Sequence, residues 1–375
     1  LVGAAGLTVA GDIDIDGTTE TDVLTINGSQ LNYKAFGTSS IMFGDNATGT
    51  ISNANYNVGV GVDVFAALTS GDNNIAIGFE ALNDVTTASS NTIVGHYAGD
   101  KITTGGSNVA IGADALGANV SGTENTAIGA FALAAHTVTN TVAVGLQALN
   151  ANTTGTDNTA VGYNSMLLNT TGAGNTALGK QALDANTTAS NNTAVGYTAL
   201  GANTTGHSNV AVGKSAGAAV TTATENTFVG FSAGDATTTG SSNTAVGINA
   251  LGANTTAADN TAVGRHALAA NTTGTENTAV GLGAADANTT GNYNVAMGNN
   301  TFGTNTTGSE NTALGYRAMF ANTEGATNVA VGSSALDECT TGDNNTAVGV
   351  SALTSVTTAD NNTALGKSAG QEITT

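Results

Sequence analysis

The chain has no proline, no tryptophan and a single cysteine, and both charge and aromatic rings are scarce: charged residues make up 9% and aromatics 4% of its 375 positions. With so few large side chains a thick core is excluded. Ala, Val, Thr and Gly each bury too little area to hold a sphere together, so the apolar surface has to be buried by stacking thin layers, and an elongated shape follows. A lone Cys339 excludes an intrachain disulfide and a cysteine zinc cluster, and says nothing of redox compartment. Base is scarcer than acid, with seven Lys and Arg against 27 Asp and Glu and a net charge of −20, which argues against nucleic acid as a partner and against attraction to an anionic membrane. There is no apolar run of transmembrane length and no secretory signal pattern, so no membrane insertion is expected. The first residue is Leu rather than Met, and the chain is read as a piece of something longer.

What is present is a repeat. The glycine closing each NTAVG-like element falls at Gly44, Gly61, Gly78, Gly95, Gly112 and Gly129, then from Gly145 through Gly162 and Gly179 to Gly366. Every step is 17 residues except Gly129 to Gly145, which is 16. The unit reads N-T-A-V-G-x-x-A-L-x-A-N-T-T-G-x-x, as from Asn158 onward. Its β-branched residues and turn glycines favour strand, and 17 is no whole number of heptads. The expectation is an all-β fold, a parallel β-solenoid (β-roll) of about twenty 17-residue coils, forming a rod of roughly 95 Å at the inter-strand spacing.

Each position of the repeat becomes a column along such a rod. The column before the glycine is always apolar, from Val60 and Ile77 to Leu365, and is expected to point into the coil. On strand alternation the column two earlier, mostly Thr with Val58, Val109, Val210, Val295 and Val329, should point inward too. Between them stands a column that is Ala in sixteen of nineteen copies from Gly61 onward, with Gly59, Ile93 and Phe228 as exceptions. A strand that is small or apolar on both faces is one covered from both sides. This Ala ladder, exemplified by Ala160, Ala177, Ala194 and Ala211, is therefore expected to pack against sister chains in a homotrimer.

Two columns carry Asn. The one opening each NTAVG element is Asn in eighteen of nineteen copies, broken only by Thr141, and includes Asn74, Asn91, Asn108, Asn125, Asn158, Asn175, Asn192 and Asn209. Stacked amides bond between successive layers and would pin the register. The second column, with Asn152, Asn169, Asn186 and Asn203, elsewhere accepts Ile51, Leu68, Val85 and Cys339, so it should face inward. Its Asn-Thr-Thr sequons are then poor glycan acceptors, and Cys339 a buried apolar substitute.

Residues 1–39 lie outside the repeat. GLTVAGDIDIDGTTETDVLTING alternates apolar and polar residues between glycines and is read as a connecting β module, with the repeat shaft over 40–375. Asp12, Asp14 and Asp16 resemble the start of a calcium loop, but its last ligand would be Val23, and Ile13 and Ile15 suit a strand with a wet acidic face. No metal ligand and no cofactor is assigned. His96, His136, His207 and His266 occupy four different columns, nothing assembles a triad, and each is read as a solvated surface residue, so no catalytic residue is assigned and no enzyme is expected. The Thr-Thr pairs, such as Thr153 and Thr154, invite comparison with ice-binding solenoids, although those use Thr-x-Thr. The positions just after the repeat glycine vary most, holding Phe79, His96, Tyr163, Lys180, Tyr197, Lys214, Phe231, Arg265, Tyr316, Arg317 and Lys367. Of these, Phe79, Tyr163, Tyr197, Phe231 and Tyr316 are the candidate recognition residues for a cell-surface glycan or protein receptor.

NNIAIG at 73–78, SNVAIG at 107–112 and SNVAVG at 208–213 resemble the repeats of trimeric autotransporter adhesin heads. The NTAVG repeat with its ALxANTTG half is similar to that of bacteriophage tail fibres. The resemblance covers residues 40–375 and implies a left-handed, trimeric β-roll that acts in attachment, in a virion joined to upstream and downstream fibre or baseplate proteins, or alternatively on a bacterial surface. The 17-residue unit is longer than the adhesin head repeat, and neither a heptad stalk nor an anchor barrel is seen, which favours the phage fibre. A non-adhesive filament, such as an ice binder, is the third reading.

Overall fold

The computed structural model describes residues 24–26, 29–31, 33–36, 39–44 and 53–374; the DIDIDG stretch lies outside them. Strands β1 (Leu24–Ile26) and β2 (Ser29–Leu31) pair antiparallel, as do β3 (Tyr33–Phe36) and β4 (Ser40–Phe43). From β4 onward every pairing is parallel. Nineteen three-residue strands, from β5 (Val58–Val60) to β23 (Thr363–Leu365), each pair with the strand one repeat away. The register is that of the repeat itself, with Thr159 opposite Thr176, Ala160 opposite Ala177 and Val161 opposite Leu178. The parallel β-solenoid is thus the fold, and no helix occurs among the described residues.

The repeat glycine is required where each strand turns its corner. Gly162 has φ 137°, and a Cβ there would sit 2.5 Å from the carbonyl oxygen of Gly179 in the next coil. No side chain fits a backbone approach that close, which is why this column admits no exception. Three further corners per coil are left-handed, and one of them falls on leucine: Leu149, Leu183 and Leu200 have φ of 51°, 51° and 49°. A left-handed non-glycine residue costs about 1–3 kcal/mol, and complete burial of a Leu side chain returns about as much. These leucines are fully buried, so packing holds them in a conformation that the isolated chain would avoid.

The orientation of the strands reverses the sequence expectation. Ala160, Ala177, Ala194 and Ala211 are completely buried within their own chain, while Val161 and Val195 on the same strands are half-exposed and Leu178 and Val212 are exposed. The physical reason is the narrowness of the coil. Its interior holds the strand Ala, the Ala and Leu of the ALxAN half (Ala182 and Leu183, for example) and two rows of Asn, all buried. Opposite a leucine only a methyl fits, so the small residue is the inner one and the β-branched residues stand outside.

The Asn columns run through this interior. Asn175 Oδ1 accepts from both the backbone N–H (3.0 Å) and Nδ2 (3.3 Å) of Asn192, and Asn175 Nδ2 donates to Asn158 Oδ1 (3.2 Å) and to the Ala189 carbonyl (2.9 Å). The same bonds link Asn57 through Asn125, and Asn158 through Asn328, apart from the Nδ2 bond at the last step of each run. In the second column Asn169 Nδ2 donates to Asn152 Oδ1 at 2.9 Å and to Gly172 O at 3.0 Å. That ladder stops where Val220 follows Asn203, leaving Asn203 Oδ1 without a partner. A third row is formed by threonine hydroxyls, each donating to a carbonyl of the next coil, as Thr153 does to Thr170. Hydrogen bonds along the axis therefore come from side chains as well as from strands.

Candidate functional site

In the short coil between Gly129 and Gly145 an imidazole enters the interior. His136 is fully buried, correcting its reading as a solvated residue: it stands seven residues after Gly129, as Asn119 does after Gly112 and Asn152 after Gly145, and so occupies the second Asn column. Its Nε2 lies 3.1 Å from Asn125 Oδ1 and its Nδ1 2.9 Å from Asn152 Nδ2. Asn152 Nδ2 also donates to Gly155 O, and Asn125 Oδ1 also accepts from the Thr141 N–H, so both amide orientations are set by backbone. Nδ1 must then accept and Nε2 must donate, which makes the ring neutral. His136 thereby supplies the donor that Thr141, the one gap in the first Asn column, cannot give. Burial lowers its pKa to about 4. Cys339 is likewise interior, its thiol pushed up to about 11 by burial, which makes it unreactive.

The outer surface carries the groups capable of recognition. The residue after each repeat glycine projects outward, and in five consecutive coils these are Tyr163, Lys180, Tyr197, Lys214 and Phe231. The Lys180 ammonium lies 5.6 Å from the centre of the Tyr163 ring and 5.8 Å from that of Tyr197, and the Lys214 ammonium 5.6 Å from that of Phe231. Tyr163 and Tyr197 are each 44% exposed. A second group forms where Phe79 stacks on His96 (5.4 Å) and Tyr97 meets both edge-on. Tyr316 joins neither; its neighbour Arg317 covers Phe320 at 4.1 Å and pairs with Asp337 at 3.3 Å. Three of the five aromatics singled out from sequence are thus brought into one ladder, with lysines as the alternate rungs.

The strand face next to this column is open, with one apolar row and one row of Thr interspersed with Val and Ile. Ile75, Ile77, Ile111, Val210, Val212, Val263 and Met297 are all exposed, in two outward rows separated by the buried Ala. Among the described residues no group of three His, Cys, Asp or Glu side chains is placed to hold a metal ion. Neither a family model, nor a curated protein, nor a solved structure matches this chain.

Proposed function

We propose that the chain is the shaft of a homotrimeric fibre, a phage tail fibre by its repeat pattern, that mediates attachment to a host cell surface. The observation carrying this reading is the open strand face. At about 4.8 Å per coil and about 7 Å between the two outward rows, nineteen strands lay out a stripe of roughly 600 Å², one row wholly Val, Ile, Leu or Met and the other mostly Thr with Val or Ile. That area approaches what one partner of a stable interface buries, and its apolar row runs unbroken along the rod. Three parallel rods turning this face toward a common axis cover it, with identical residues meeting at every level. The Val column thus takes the role that sequence alone gave to the Ala column.

Native mass spectrometry of the full chain tests assembly: three chains per particle are expected, and a folded monomer at micromolar concentration overturns the reading. Attachment is tested by retention of the labelled rod on bacterial cells, and placement by finding the rod in virions. An anchor barrel downstream in the complete gene would instead assign it to a bacterial surface adhesin. The flat outward Thr and Val rows, such as Thr159 with Val161, favour one further reading, a non-adhesive ice-binding filament. That use needs the face uncovered, so thermal hysteresis from a monomer would select it.

A further inference from the structure

We infer that the ladder Tyr163–Lys180–Tyr197–Lys214–Phe231 binds an extended acidic polysaccharide bearing carboxylates, lying along the rod. The inference rests on the reading of the outer column as a recognition surface and adds the chemistry of its ligand.

The first support is where the cations are. Of the seven Lys and Arg in the chain, four (Lys180, Lys214, Arg265 and Lys367) stand in this one column of the seventeen, and from Val62 to Lys367 the column holds no Asp or Glu at all. The position beside it, acidic in other coils at Asp63, Glu80 and Asp114, is neutral throughout the ladder: Asn164, Gln181, Thr198, Ser215 and Ser232. Lys101 and Arg317 are paired with carboxylates, whereas among the described residues no carboxylate lies within ion-pair distance of Lys180 or Lys214. On a rod of net charge −20, two exposed and unneutralised ammonium groups on a lane free of acid form a local site for an anion.

The second support is spacing and geometry. Lys180 and Lys214 are two coils apart, about 9.6 Å at the inter-strand spacing. Successive pyranoses of an extended glycan repeat at close to one coil, so an acid on alternate sugars meets the lysines in register. Lys180 sits between Tyr163 and Tyr197 with its ammonium over the ring faces turned toward it, and both tyrosines remain 44% exposed. Alternating hydroxyl and cation suit a hydroxyl-rich chain with intermittent carboxylates. They suit single-stranded nucleic acid poorly, since stacked bases need ring faces that Lys180 and Lys214 partly cover.

The test uses the whole chain in its native assembly, with polygalacturonate, dextran of matched length and oligo(dT) immobilised in parallel. Polygalacturonate alone should retain the protein, with retention falling as salt rises. Two exposed ion pairs correspond to roughly a tenfold loss of affinity in the Lys180→Gln/Lys214→Gln variant. The Lys180→Arg/Lys214→Arg variant should keep binding, and both variants should keep the wild-type oligomeric mass. Equal retention on dextran, stronger retention on oligo(dT), unchanged binding by the Gln variant or no retention on polygalacturonate each overturns the inference. If polygalacturonate fails while the wild-type rod still adheres to bacterial cells, the attachment function stands and only this ligand class falls.

Discussion

Phe228 and Gly234 share one volume: a Cβ on Gly234 would lie 2.5 Å from Phe228 Cε1, and one on Gly217, in the preceding coil, 2.8 Å from Phe228 Cδ2. Phe228 stands where other coils have Ala, and both glycines stand where other coils have Leu. Truncating Phe228 to Ala opens a cavity that neither glycine can fill, and should cost about 3–5 kcal/mol. Restoring the common pattern with Phe228→Ala, Gly217→Leu and Gly234→Leu together should recover most of that loss. Denaturant unfolding, with hydrogen exchange at the amides of 210–250, reads both; no recovery in the triple variant would refute the exchange of volume.

The same exchange was written in the sequence. Gly59 faces Phe65 and Ile93 faces Gly99, each pair six residues apart in one coil, as Phe228 and Gly234 are. In all three, whenever the Ala column departs from Ala, the Leu column changes in the opposite sense. That covariation marks the Ala and Leu columns as touching across the interior. Period, register, the Asn amide ladder and the inward second Asn column were legible because they follow from repetition alone. Orientation was not, because hydrophobicity ranks Val above Ala while the width of the coil ranks them the other way. The burial of His136 was legible as well, since it stands 17 residues after Asn119 in a column that elsewhere accepts Ile and Leu.

The two Asn columns should differ in what they tolerate. Asn175→Ala removes the acceptor of the buried Asn192 backbone N–H, an unsatisfied donor costing about 1–3 kcal/mol, and also empties amide volume. Asn271→Ala removes Nδ2 from Asn254 Oδ1, but Gly274 O keeps Asn260 Nδ2 and Asn288 Nδ2 keeps Gly291 O, so the loss should be smaller. Local hydrogen exchange in the flanking coils should rank Asn175→Ala as the more damaging. The native exceptions agree, since the second column admits Val220, Cys339 and Val356 and the first only Thr141.

His136 gives the rod a pH dependence of known sign. Its folded pKa, about 4, lies below the ordinary value of 6.5, because burial disfavours the charged ring. The stability associated with the neutral ring is fully present above pH 6.5 and is lost as pH falls from there to about 4, amounting to about 3 kcal/mol in all. Protonation would also set an N–H on Nδ1 against the Asn152 amide that now donates to it. The variant His136→Asn with Thr141→Asn should restore both amide columns and flatten the stability profile between pH 6.5 and 4. An unchanged slope in that variant would mean that acidic side chains elsewhere set it.

Strand orientation and assembly can be separated by placing charge on each side of the same three-residue strands. Val195 and Val212 project outward, so Lys at either position leaves the single coil intact, with a cost within about 0.5 kcal/mol for an isolated rod. In the proposed trimer the same lysines meet their copies on the axis, unpaired and out of water, at several kcal/mol each. Val195→Lys with Val212→Lys should therefore give a monomer with an unchanged β-sheet circular dichroism spectrum. Ala177 and Ala194 are buried on the inner face against Leu183 and Leu200, where a larger residue has no room. Ala177→Leu should lose about 1–3 kcal/mol in folding and leave the oligomeric state of the folded fraction as it was. Dissociation caused by the inner substitution, or unfolding caused by the outer pair, would show that the face assigned to sister chains is the wrong one.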